Sequence, residues 1–263
     1  MEDKCCCSKE STAGIPIVRI MAKLDALLAK DDVIEAERVL EYWEGEARAL
    51  KDKRGLLEIL SEQIGFYRSN GDEQKGLRAV REALSLLECQ GGMDGVANAT
   101  IYLNCATTLK AFGKVDEALP YYEQVRKIYE SSLEKDDFRL AGFYNNYATA
   151  LAEILKFEEA RECYFKAIEV LKAEGGAPEI AVTYANLAQL AYDEAAAIGK
   201  DSDEEVEKML NLAYECLDDK TLARDGNYAS TCRKCASAFE FFGYFLQKQE
   251  LEERAQSIFD SNK

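Results

Sequence analysis

A small residue placed early in a helix returns at a fixed interval along this chain. Gly76, Ala118 and Ala160 stand about 42 residues apart. The surrounding pattern copies itself at the same interval. Tyr102, Cys105, Ala106, Leu109, Gly113, Ala118, Tyr122 and Val125 are answered by Tyr144, Tyr147, Ala148, Leu151, Leu155, Ala160, Tyr164 and Ala167. Within each copy the apolar residues recur at helical spacing, and the small residue marks where a neighbouring helix must come close. A unit of this length cannot bury its apolar face alone. It does so by stacking on its neighbours, so the chain should be an array of helix hairpins rather than a closed globule.

The three prolines agree. Pro16 and Pro178 fall where helices should begin and Pro120 falls close to a helix start, where a missing N–H costs least. Residues 1–13 are polar and irregular and should form a disordered tail. The pattern then predicts an all-α chain over 14–260 with about six antiparallel hairpins, at 15–50, 55–90, 97–134, 138–173, 178–218 and 227–260. In the first hairpin Val18, Met21, Leu24, Leu27 and Leu28 should face inward, then Ala36, Leu40 and Trp43. Leu57, Leu60, Ile64 and Tyr67 do so in the second, ahead of an Asn70-Gly71-Asp72 turn. Glycine-rich links follow at 90–95 and 174–178. The period breaks in the fifth hairpin, where residues 193–205 read as a lengthened turn before Val206, Leu210 and Ala213. A sixth inner helix is expected over 227–247, and a short polar end cap over 250–259.

Units with an aromatic, a Leu–small pair, a turn glycine and a small residue early in the second helix resemble tetratricopeptide repeats. Tyr102, Gly113, Ala118 and Tyr122 carry the likeness in one unit. Tyr144, Ala148, Ala160, Tyr164 and Ala167 carry it in the next, where Leu155 replaces the turn glycine. The longer period, with Tyr144-Asn145-Asn146-Tyr147-Ala148 and Tyr184-Ala185-Asn186-Leu187-Ala188, looks like the subclass of kinesin light chains and bacterial peptide-sensing regulators. The resemblance implies a right-handed superhelical solenoid whose first helices line a concave groove that binds a peptide or partner segment. It implies an adaptor or scaffold; the alternative it also suggests is a free-standing peptide sensor that changes superhelical shape.

The residues between the packed ones should then face that groove. Asn104, Asn146 and Asn186 occupy one site in three units, with Asn145 alongside, and a side-chain amide can both donate to and accept from a peptide backbone. In the resembled family, asparagines at this site contact ligand backbones. Thr107, Thr149 and Gln189 lie one turn on, followed by Lys110, Ala152 and Tyr192. Arg233 and Lys234 occupy the asparagine site of the sixth inner helix. Tyr102, Tyr144 and Tyr184 have the spacing of packing residues. The groove sites do not form the basic clamp that some family members use for a C-terminal carboxylate.

Composition limits the chemistry. With 33 Lys and Arg against 49 Asp and Glu the net charge is −16, which argues against nucleic acid and against an anionic membrane surface. Acids such as Glu158, Glu159, Glu162, Glu204, Glu205 and Glu207 fall on or just before second helices, which places them on the convex back. Nine cysteines without a secreted spacing pattern point to a reducing cytoplasm. Histidine is absent, which removes the commonest general base and metal ligand. Gly71 to Gly76 lacks the Lys of a phosphate loop, and Asp201, Asp203 and Glu205 lack the glycine and closing Glu of a calcium loop. Cys232 and Cys235 sit in a helix interior, not at the helix start a redox pair needs, and Cys5-Cys6-Cys7 has no second Cys pair or His to close a zinc site. The expectation is a protein or peptide partner, with no catalytic site, cofactor or metal.

Overall fold

The computed structural model describes residues 14–30, 32–89, 92, 95–173 and 178–261. The expected tail at 1–13, with Cys5-Cys6-Cys7, and residues 174–177 of the second glycine-rich link lie outside them. Among the described residues there are twelve α-helices and no strand. The chain divides into two compact units, Met1–Asp94 and Gly95–Lys263.

The first unit holds α1 (Ile17–Leu28), α2 (Val33–Ala49), α3 (Lys53–Ser69) and α4 (Glu73–Cys89). Asp32 and Asp52 cap α2 and α3 by accepting from Glu35 N (3.2 Å) and Gly55 N (2.9 Å), satisfying donors that a helix start leaves open. α3 is the core element: Leu57, Ile59, Leu60, Ile64 and Tyr67 are all buried. The inward face of α1 is Ile20, Leu24 and Leu27, not the expected stripe with Val18, which is 83% exposed. That of α2 is Ala36, Leu40, Glu44 and Ala47. Glu44 therefore takes the place expected for Trp43, which lies half-buried with its ring edge-on to Tyr42. The Glu44 carboxylate accepts from Arg48 (2.7 Å), Arg78 (3.0 Å) and Gln63 (2.7 Å), and so ties α2, α3 and α4 together.

The second unit holds four hairpins: α5 (Gly95–Ala111) with α6 (Val115–Ser132), α7 (Phe138–Glu153) with α8 (Phe157–Ala173), α9 (Glu179–Ile198) with α10 (Asp203–Asp218), and α11 (Gly226–Phe241) with α12 (Phe245–Ser261). Ala118 and Ala160 are fully buried, as their small size requires at a helix contact. An aromatic group welds the first two of these hairpins. Tyr122, Tyr147, Phe143 and Tyr129 follow one another at centroid distances of 5.6, 5.6 and 6.0 Å. Such pairs add about 0.5–1.5 kcal/mol each beyond the area they bury. Pro120 lies in the second turn of α6, a little further in than its sequence position suggests.

One backbone device closes the turn within each hairpin from α3 onward. The N–H two residues past each first helix's closing turn reaches back five positions: Asp72 to Tyr67 O, Lys114 to Leu109 O, Lys156 to Leu151 O, Lys200 to Ala195 O and Tyr244 to Phe239 O, all at 2.8–3.0 Å. This Schellman closure needs a left-handed residue just before the donor. Gly71, Gly113, Gly199 and Gly243 supply it at φ of 71–82° or, for Gly199, 64°. Leu155 supplies it in the fourth hairpin at φ 61°, with its side chain 68% exposed.

Gly243 corrects the expected end of the chain. The sixth inner helix stops at Phe241, not at 247, and the last helix begins at Phe245. Phe245 and Leu246, which open the last helix, are both exposed. The last helix is also more than a polar cap. Leu251 and Ala255 are fully buried, and Arg254 reaches Leu217 O (3.3 Å), Tyr228 Oη (3.3 Å) and Asp218 (2.6 Å). The lengthened turn expected at 193–205 is mostly helix: α9 runs to Ile198, because Ala195, Ala196 and Ala197 favour helix.

Candidate functional site

In the second unit the first helices of successive hairpins touch, α5 with α7, α7 with α9 and α9 with α11. They form one layer. Each junction carries a polar bond. Lys110 of α5 donates to Thr149 Oγ1 of α7 (3.1 Å). Asn145 of α7 donates to Thr183 Oγ1 of α9 (3.0 Å), and Asn227 of α11 donates to Glu179 of α9 (2.8 Å). Thr183, Glu179 and Asn227 were not singled out by sequence, because each bond joins residues of different hairpins and leaves no local pattern.

The predicted site residues divide into two sets. Asn104, Asn146, Thr149, Asn186 and Gln189 are half-buried, on the layer but reaching its surface. Asn146 Nδ2 donates to Gly142 O one turn back (2.8 Å), and Thr149 donates to the backbone Asn146 O (2.7 Å). Gln189 donates to Asp193 (2.9 Å). Asn186 has no hydrogen-bond partner for its amide among the described residues. Thr107 and Asn145 face into the packing instead. Thr107 is 9% exposed and accepts from Tyr122 Oη (3.2 Å). Asn145 Nδ2 also reaches Ala141 O (3.3 Å), while its Oδ1 is buried without a partner. Arg233 and Lys234 are exposed on α11; the Arg233 guanidinium lies 4.3 Å over the Phe259 ring and 3.4 Å from Gln256, both on α12. Of the three tyrosines read as core, Tyr102 and Tyr144 are buried and Tyr184 is half-buried.

Charge separates the two layers. The first helices of the second unit, α5, α7, α9 and α11, hold four basic and five acidic residues. The second helices, α6, α8, α10 and α12, hold eight basic and eighteen acidic. The layer with the asparagines is thus nearly neutral, and the acid lies behind it. Burial pushes the Tyr144 and Tyr147 hydroxyls up from their ordinary range, and the Glu130 and Glu123 carboxylates they donate to push them further. They stay protonated donors at any physiological pH. The same burial pushes the Cys235 thiol up to about 12 and raises Cys232, so neither is a thiolate nucleophile. Among the described residues no three His, Cys, Asp or Glu side chains gather as a metal site, and no helix is long and apolar enough to cross a membrane.

The sequence profile of a tetratricopeptide repeat family matches residues 55–131. No curated protein matches the sequence. Among solved structures, the chain resembles near-identical TPR-like repeats of a Podosopora anserina protein assigned as a kinesin light chain, at 17% identity and TM-score 0.53, over 79% of this chain and 96% of that one. It resembles BtubC (BKLC) from P. vanneervenii at 21% identity and TM-score 0.52, over 89% and 91%. It also resembles Bacillus thuringiensis PlcR, solved with the peptide PapR7 and DNA, at 17% identity and TM-score 0.53, over 92% and 77%. The chain carries a tetratricopeptide-repeat segment at 55–131, and its fold is similar to those of solved TPR-like repeat proteins.

Proposed function

We propose that this chain is a protein-interaction module that holds an extended peptide or partner segment against the first-helix layer of its second unit. The observation that carries the reading is the row Asn104, Asn146 and Asn186, three amides at one position of α5, α7 and α9. They stand half-buried on a nearly neutral surface. Amides in such a row, spaced by packed helices about 8–10 Å apart, can pair with every second or third peptide group of an extended ligand whatever its side chains, and the balanced charge repels neither acidic nor basic segments. Lys110 and Gln189 flank the row and add donors, and Thr149, whose hydroxyl is donated to Asn146 O, lies between them. Thr107 and Asn145 act beneath it, holding the helices in place. Arg233 and Lys234 extend it with positive charge toward α11. The likeness to PlcR, solved with a bound peptide, supports a peptide as the occupant.

The test is a titration of a peptide selected by display against the folded chain, followed by isothermal calorimetry. Asn146→Ala together with Asn186→Ala should weaken binding by about tenfold, or about 1.4 kcal/mol, while the thermal midpoint stays close to wild type. Equal affinity in the wild type and the double variant would remove the amide row from the site. The PlcR likeness also favours a second reading, a sensor whose shape changes on binding. Small-angle scattering separates the two: compaction on peptide addition supports the sensor, and an unchanged profile supports the scaffold.

A further inference from the structure

The asparagine row uses only one face of α9, and the irregular end of the α9–α10 hairpin lies outside it. α9 has 20 residues where α7 and α11 have 16, and its connection to α10 has four residues where the other three hairpins of this unit have three. The additional helical turn lines an open cavity of about 1060 Å³, with α8 on one side and the start of α10 on the other. Its contribution from α9 is Ala191, Glu194, Ala195 and Ile198, which recur at helical spacing. That stripe is distinct from the one carrying Asn186, Gln189 and Asp193, so the cavity and the peptide row lie on different faces of the same helix.

The lining has two layers. Ala191, Ala195 and Met209 are buried at its floor, while Phe165 and Ile198 stand 47% and 60% exposed above them. Together they make a small apolar patch over a buried apolar floor, which one large side chain of a partner could cover. Arg161 braces the walls by bonding to Glu194 of α9 and to Glu205 of α10 (2.9 Å). That leaves the rim acidic. Asp201, Asp203 and Glu204 stand there against Lys200 and Lys208, and α10 as a whole carries six acids and one lysine.

Charge selects the occupant. An anionic membrane and an acidic protein are repelled by this rim. A second copy of this chain would itself bring a net charge of −16. We propose that the cavity docks a basic segment of a partner protein, with one large apolar side chain seated between Phe165 and Ile198 and with lysine or arginine residues against the first turn of α10. This site is separate from the amide row, and the two can be occupied together.

The probe is a short fluorescein-labelled peptide with lysines flanking a central leucine, followed by fluorescence anisotropy. Phe165→Ser with Ile198→Ser leaves the protein's charge unchanged and should weaken binding about tenfold or more. Replacing the peptide's leucine by alanine should have a similar effect, and a glutamate-flanked peptide should not bind. Asn146→Ala with Asn186→Ala should leave this affinity unchanged, so failure of the groove reading and failure of this one are distinguishable. Glu204→Lys, on an exposed side chain, provides a second route and should also weaken binding if the apolar variant fails to fold. Equal affinity in the wild type and the Phe165→Ser, Ile198→Ser variant would overturn the proposal, because the peptide would then be held by diffuse charge; equal affinity in Glu204→Lys would overturn it too, because the acidic rim would then take no part. Self-association that disappears in the Phe165→Ser, Ile198→Ser variant would overturn it in favour of a second copy of the chain.

Discussion

Glu44 shows what a single side chain does in the first unit. Burial alone would push its carboxyl up, but hydrogen bonds from Arg78, Arg48 and Gln63 outweigh burial and hold it at about 2, from an ordinary 4.5. A folded-state value below the unfolded one gives stability that is full above about pH 4.5 and is lost as pH falls toward 2. Glu44→Ala should cost about 1–3 kcal/mol, because the buried Gln63 amide loses its acceptor while both guanidiniums stay in reach of solvent. Urea denaturation of wild type and variant at pH 7 and at pH 3 checks both points, with a smaller gap expected at pH 3. Leu155 carries the opposite kind of local effect. Its left-handed backbone is strained for a branched residue, and its exposed side chain gains little from packing. Leu155→Gly should therefore raise stability by about 0.5–1 kcal/mol after the added freedom of the unfolded glycine is deducted. A lowered urea midpoint would show that the Leu155 side chain contributes packing its exposure does not suggest. Sequence registered Leu155 as a departure from the pattern but could not register Glu44. An acid in a chain so rich in acids looks solvated, and only the convergence of Arg48, Gln63 and Arg78 from three helices makes it a core residue.

At the scale of the helix the repeat was legible because its physics is local. Small residues such as Ala118 and Ala160 must sit where helices touch, and the turns must close with a left-handed residue. Ala118→Leu should overpack the α5–α6 contact and destabilise by about 1–3 kcal/mol. An unchanged denaturation midpoint would mean that the register of the repeat is misread. The ends of helices were less legible. Phe245 and Leu246 look like the continuation of an apolar face, and only the closure at Gly243 shows that the chain has already turned. The break in the period makes Ala195-Ala196-Ala197 look like turn, whereas its helix propensity lengthens α9 beside the cavity. In the first hairpin, spacing alone turns Val18 and Trp43 inward. A stripe on an amphipathic helix is broad, and the neighbouring helix decides which edge of it is covered.

At the scale of the molecule, charge and amides are sorted by layer. The second helices of the second unit carry most of its acid, and the first helices carry the row of asparagines on a nearly neutral surface. Sequence could place those asparagines because the repeat phases them. It could not separate Asn146 and Asn186, at the surface, from Asn145 and Thr107, which brace the layer, because that depends on Thr183 and Tyr122 in other helices. The central claim is that an extended ligand lies along α5, α7 and α9. The most direct test is photo-cross-linking with a display-selected peptide of zero net charge that carries a benzophenone side chain, followed by mass spectrometry of the adducts. The account predicts adducts on peptides spanning Asn104, Asn146 and Asn186, lost in Asn146→Ala with Asn186→Ala. Adducts confined to α6 and α8 would contradict it.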